Sequence, residues 1–207
     1  MVRVVVPVAF LLTAMSVQHR AWAAERVHPN AVSICSVIIQ EMSEGKIGSE
    51  KAREISLAIA NAGNKHFGRV TCGDMWLYMA IAHVESGFRN NIINHQNCRG
   101  MFQIHAPSWA RKFGIGYADL LKPEINADCG IQVFKYYLEL YQKVVPALSA
   151  YNSDHPRAAM NYAWAVLGAR QKIKKRYTEL HKTLRDEKRV AVETDPELTQ
   201  GDPPPSK

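Results

Sequence analysis

Beyond its N-terminal segment the chain contains no apolar stretch long enough to cross a membrane, which takes about 20 residues as a helix. It has only four cysteines in 207 residues. None of them stands with histidines at the spacing of a complete zinc site. His95, Cys98 and His105 come nearest and fit no full ligand pattern. The chain also lacks the joined aromatic and basic signature of a nucleic-acid module. No internal repeat and no second domain are visible, and the length suits one domain with its own core. Metal, nucleic acid and an integral membrane body are therefore set aside, and no cofactor is expected.

What is present begins with an export signal at residues 1–23. Met1, Val2 and Arg3 form a positive start. VVVPVAFLLTAM is an apolar core, and Ala21-Trp22-Ala23 is a small-x-small cleavage site. The apolar run, about a dozen residues, is short of a membrane span, and an uncleaved anchor is the minority reading. Cleavage removes Arg3 and Arg20 and no acid, so the net charge of +7 falls by two, to +5. A basic exported chain suits anionic cell-wall polymers or lipid headgroups. Four cysteines outside the cytoplasm predict two disulfides among Cys35, Cys72, Cys98 and Cys129, in any of three connectivities.

The periodicity is helical throughout, with no strand pattern. Val32, Cys35, Ile38, Ile39 and Met42 share one helical stripe, which Gly45 closes. A second helix starts at Ser49, carries Ala52, Ile55, Ile59 and Ala62 on one face, and ends at Asn61–Asn64. These helices occupy a stretch, 24–70, that packs on the rest. Thr71 to Ser86 is apolar on nearly every side, so it belongs in the interior. Thr71 is its N-cap, with Asp74 as the acid three residues on. Glu85 falls in its last turn, before Gly87. Apolar surroundings and the negative end of the helix dipole both push the pKa of Glu85 upward. It can then hold a proton near neutral pH and donate it. The competing reading is an exposed Glu in a fraying turn, paired with a cation in water.

Asn90, Asn91, Asn94, Gln96 and Asn97 crowd the next loop, where amides either build turns or read hydroxyl groups. His83 lies two residues before Glu85 and points to another face, so it is a packed histidine. The run from Gly100 to Ile104 is too short for a helix. A short helix follows from Pro107 to Phe113, with Trp109 fitting the core better than an exposed platform and both readings left open. Residues 123–142 form a long helix with Ile131, Phe134, Leu138 and Tyr141 in one stripe. A last amphipathic helix runs from Pro156 to about Arg185, its Lys172, Lys174, Lys175 and Arg176 forming a solvated basic face. The remainder, a polar tail assigned to 183–207, is proline-rich and expected to be disordered.

Four boxes carry a resemblance. HVESGF at Glu85 resembles the E-S-x-F box of the lytic transglycosylases related to the soluble lytic transglycosylase. CRGMFQI is similar to their G-L-M-Q-I box, SAYNSD to their A-Y-N-x-G box, and PEINADCGIQVFKYYLEL to the helix between them. Together they span roughly residues 70–165, in the family's order. The resemblance implies an all-α, lysozyme-like single domain at 71–182 with a buried central catalytic helix. It implies a peptidoglycan glycan strand as substrate and a periplasmic or wall-associated location. Glu85 is then the catalytic residue. Ser86, Gly100, Met101, Phe102, Gln103, Tyr151, Asn152 and Tyr162 become substrate-side candidates. Gly100 would let the sugar chain approach, and Met101 or Phe102 would wall a sugar ring unless both are core. Gln103 would bind substrate or hold Glu85. Tyr151 would orient Glu85 through its hydroxyl. Asp154 stands where the family has a Gly, which leaves the turn shape there open. Cys98 paired with Cys129 would brace the cleft, and Cys35 with Cys72 would tie the first helix to the central one.

The implied reaction is cleavage of the bond between N-acetylmuramic acid and N-acetylglucosamine with a 1,6-anhydro product, by one carboxylate and no cofactor. Two rivals stand beside it. A hydrolase of the same fold needs a second carboxylate, with Asp154 first and Asp119 or Asp128 next. A non-catalytic wall-binding protein needs no proton donor at all. The resemblance also extends to specialised transglycosylases that open the wall for secretion or conjugation machinery, making such apparatus a candidate partner.

Overall fold

The computed structural model describes residues 29–68 and 71–194. The expected export signal and residues 195–207 lie outside the described residues. Seven α-helices and one small hairpin make up the described part. They are α1 Pro29–Met42, α2 Ser49–Phe67, α3 Cys72–Ser86, β1 Cys98–Arg99, β2 Ile104–His105, α4 Ala106–Phe113, α5 Pro123–Tyr141, α6 Val144–Ser153 and α7 Met160–Thr194. A 3-10 turn at Tyr117–Leu121 leads into α5. No described helix is long and apolar enough to cross a membrane.

The core lies around α3. Met79, Ala80, Ile81 and Ala82 are fully buried in consecutive positions, which a helix achieves only when neighbours cover it on every side. α7 and α2 supply that cover, while α2 also packs on α5 and α1, and α6 bridges α5 and α7. Thr71 caps α3 by accepting from Asp74 N, and the Asp74 side chain accepts from Thr71 N in return. The far end closes at Gly87, left-handed at φ 62°, whose N–H bonds back to Ala82 O and His83 O. The expected start, burial and stop of the central helix are all present.

Four boundaries differ from expectation. α2 does not stop at Asn61–Asn64 but runs to Phe67. Ala62 and Gly63 are buried there, Lys65 and His66 reach Asp128 on α5, and Phe67 stacks on Tyr78. Tertiary contacts override the weak local breakers. The Gly100 run is the turn of the hairpin, in which Cys98 faces His105 and Arg99 faces Ile104. Two-residue strands are too short to leave an alternating pattern. Residues 144–153, to which the pattern assigned no element, form α6, whose Pro146 sits in the first helical turn, where no N–H is missed. Finally, α7 begins at Met160 and continues to Thr194, so 183–194 is helix rather than tail.

Candidate active site

Glu85 is half-buried on the wall of a cleft of about 560 Å³. Burial pushes its carboxyl up to about 7, with a hydrogen bond from Tyr162 working in the opposite direction. The Tyr162 hydroxyl donates to Glu85 Oε1 at 2.6 Å. Tyr162 comes from the first turn of α7, 77 residues along the chain. Its ring lies parallel to that of Tyr151, with centroids 6.5 Å apart and planes within 6°. Burial first, then the Glu85 charge, hold both phenols well above their ordinary range. They therefore stay neutral donors at neutral pH.

The expected orienting role of Tyr151 is thereby corrected. Its hydroxyl donates to Phe102 O at 2.8 Å, not to Glu85. The α6 helix turns Tyr151 against the turn of the hairpin, and its neighbour on α7 reaches the carboxylate instead.

That loop is a hydrogen-bonded knot. Ser86, next to Glu85, is 4 % exposed, and its hydroxyl donates to Met101 O at 2.9 Å. Asn126 of α5 is fully buried. It accepts from Phe102 N at 2.8 Å and donates to Arg99 O at 2.9 Å and Leu120 O at 2.8 Å. Gly100 has a φ of 75°, and a Cβ there would stand 2.2 Å from Asn126 Nδ2 and 2.4 Å from Leu120 O. Only glycine meets both demands. On α5, a Cβ at Gly130 would meet the Phe102 ring at 2.4 Å. Met101 and Phe102 are completely buried. Four expected substrate contacts are thus corrected: Ser86, Gly100, Met101 and Phe102 face protein, and the approach that Gly100 permits is that of Asn126. The apolar pair is core because α5 packs on it. Gln103 lines the cleft, but its amide donates to Gly100 O at 2.8 Å and does not hold Glu85.

Beside Glu85, the cleft is lined by Asn94, Gln96, Cys98, Gln103, Tyr151 and Asn152. Asn94 Oδ1 accepts from the backbone N–H groups of Gln96 and Cys98, so this amide builds its turn at the cleft edge. His105, Ser108, Trp109 and Asp154 also line it, and Trp109 packs against the core at the same time. Of the three candidate second carboxylates, Asp119 pairs with Lys122 and Asp128 with Lys65 and His66; neither lines the cleft. Asp154 does.

Cys98 and Cys129 are separate thiols, which corrects the expected bridge across the cleft. Cys98 belongs to the hairpin wall and Cys129 is buried within α5. The pairing of Cys35 with Cys72 falls partly outside the described side chains. Burial pushes Cys98 above its ordinary value and Cys129 up to about 12. In the native protein at pH 9, a maleimide is therefore expected to modify Cys98 in the cleft and to spare Cys129 until denaturant is added. Peptide mapping reads both sites, and equal labelling of the two in the native fold would contradict the placement.

Residues 73–175, from the start of α3 to the middle of α7, match one family model, the transglycosylase SLT domain. The chain belongs to this family. No curated protein and no solved structure matches it. The match encloses Glu85, the hairpin, the knot and Tyr162. The SLT domain is lysozyme-like and mostly helical, in agreement with the architecture above. Its family is of the lytic transglycosylase type and acts on peptidoglycan, outside the cytoplasm.

Proposed function

We propose that this SLT domain cleaves the β-1,4 bond between N-acetylmuramic acid and N-acetylglucosamine with Glu85 as acid and then base. The single observation behind this reading is a cleft carboxyl that burial holds at about 7 and one phenol fixes in place. Glu85 gives its proton to the bridging oxygen, and the bond from that oxygen to C1 of the muramyl sugar breaks. The acetamido group of that sugar supports the positive charge at C1. The carboxylate then takes the proton of the C6 hydroxyl as its oxygen bonds to C1. The products are a free 4-hydroxyl and a 1,6-anhydro ring, with no water consumed and Glu85 protonated again. Tyr162 keeps one carboxyl oxygen hydrogen-bonded in both protonation states.

Clearing of a suspension of purified peptidoglycan tests the reading. The acid form is lost as pH rises through about 7, so kcat/KM is expected to fall on that side. Tyr162→Phe removes the bond that lowers the Glu85 pKa. The alkaline midpoint of that variant is expected to move upward, with kcat reduced by about tenfold from looser orientation. A midpoint that stays in place would remove Tyr162 from the account.

A second reading, hydrolysis, is favoured by one observation: Asp154 is a second carboxylate in the same cleft. We further propose a setting beside secretion or conjugation machinery, on the resemblance alone. Co-purification with a component of such apparatus supports it, and a protein recovered without one counts against it.

A further inference from the structure

Asp154 ends α6 with φ 56° and ψ 8°, the left-handed conformation that favours glycine. In the resembled box the position is a Gly. Asp tolerates this conformation better than most residues but gains nothing from it locally. The side chain is nonetheless organised. Tyr137 of α5, 5 % exposed, donates its hydroxyl to Asp154 Oδ1. None of the ion pairs among the described residues engages Asp154. One carboxylate oxygen is therefore anchored, and the group lines the cleft without a protein cation.

The anchor continues into an aromatic wall. Tyr137 meets Trp109 edge to face at 6.3 Å, and Trp109 lines the same cleft. Trp109 is itself fixed by Phe113, stacked at 5.6 Å, and by Lys112, whose ammonium lies 4.3 Å from the ring centroid. Three elements, α4, α5 and the end of α6, so place an aromatic surface and a fixed acceptor on one cleft. No Lys or Arg lines that cleft, on a chain of net charge +7. The groups it is built to receive are apolar faces and hydrogen-bond donors rather than anions.

We propose that Trp109 and Asp154 form a sugar subsite of this cleft, in which a pyranose packs on the indole and its hydroxyls donate to the Asp154 carboxylate. Tyr137 is the positioning residue for that carboxylate. The inference rests on the glycan-cleaving reading above and adds to it a specificity-determining pair separate from Glu85. It also gives Asp154 a role in binding and not in the activation of water.

Kinetics on soluble, peptidoglycan-derived glycan strands test it with Asp154→Gly and Asp154→Asn. Both residues suit the left-handed backbone, so both variants are expected to fold, and thermal melting checks this. The expected result is a KM raised by about tenfold or more in each, with kcat within about twofold of native and the product unchanged. An unchanged KM overturns the subsite. So does a kcat that collapses at unchanged KM, which would make Asp154 a catalytic base. Equilibrium binding of the same strands to Glu85→Gln, with and without Asp154→Gly, separates this proposal from the one it rests on. Binding weakened by Asp154→Gly upholds the subsite even if Glu85 proves not to be the acid. Equal binding overturns it even if Glu85 is.

Discussion

Glu85→Gln is expected to lower turnover of purified peptidoglycan by about 10³-fold, because in the proposed reaction one group serves as both acid and base. The amide keeps the size of the side chain and still accepts from Tyr162, but has no proton to exchange. Sedimentation with the wall should survive, since nothing the cleft uses to bind has been removed. The same variant carries a stability signature whose sign follows from the pKa. The Glu85 carboxyl titrates at about 7 in the fold against an ordinary value of 4.5. The fold therefore favours the protonated form, and this advantage is complete below about 4.5 and lost as pH rises through about 7. Glu85→Gln removes the dependence. The variant is expected to melt above the native protein at pH 8 and level with it at pH 4. A variant that keeps most of its turnover, or that melts below native at pH 8, contradicts the placement of this group.

Asn126→Ala is expected to be the most damaging change outside the cleft. It leaves Phe102 N, Arg99 O and Leu120 O without their buried partner in one step. Each orphaned group costs about 1–3 kcal/mol, and the lost side chain leaves a void between α5 and the hairpin turn. A total loss of about 3–5 kcal/mol is a large part of the stability of an ordinary domain. Urea unfolding measures it as a lower midpoint at unchanged slope. Because Ser86 and Tyr151 grip the same loop, its release should also loosen the wall opposite Glu85 and reduce turnover. A loss under about 1 kcal/mol would show that the knot does not hold the loop.

The central helix was legible because its pattern is strong at every level. An apolar run, a capping pair at Thr71 and Asp74 and a stop at Gly87 all agree. Glu85 was legible for the same reason, since its place in that helix determines its burial. The motif residues were visible too, but their work was not. Ser86, Gly100, Met101 and Phe102 look like a binding box in one dimension, yet in three they and Asn126 fasten α3, the hairpin and α5 to one another. Side-chain direction at 100–103 depends on an Asn 24 residues away from Phe102, which no local pattern contains. Tyr151 and Tyr162 are alike in chemistry, and only the packing of α6 against α7 decides which reaches the carboxylate. Trp109 could be read either way because a short helix leaves too few positions to tell a cleft wall from a core; it packs against the core and lines the cleft.

The mass of the fragments that the native protein releases from purified peptidoglycan tests the proposed cleavage most directly. Muropeptides lighter by one water than hydrolysis products, ending in a 1,6-anhydro ring and absent with Glu85→Gln, are expected. Fragments with a reducing end would contradict that cleavage and turn attention to a water-activating Asp154.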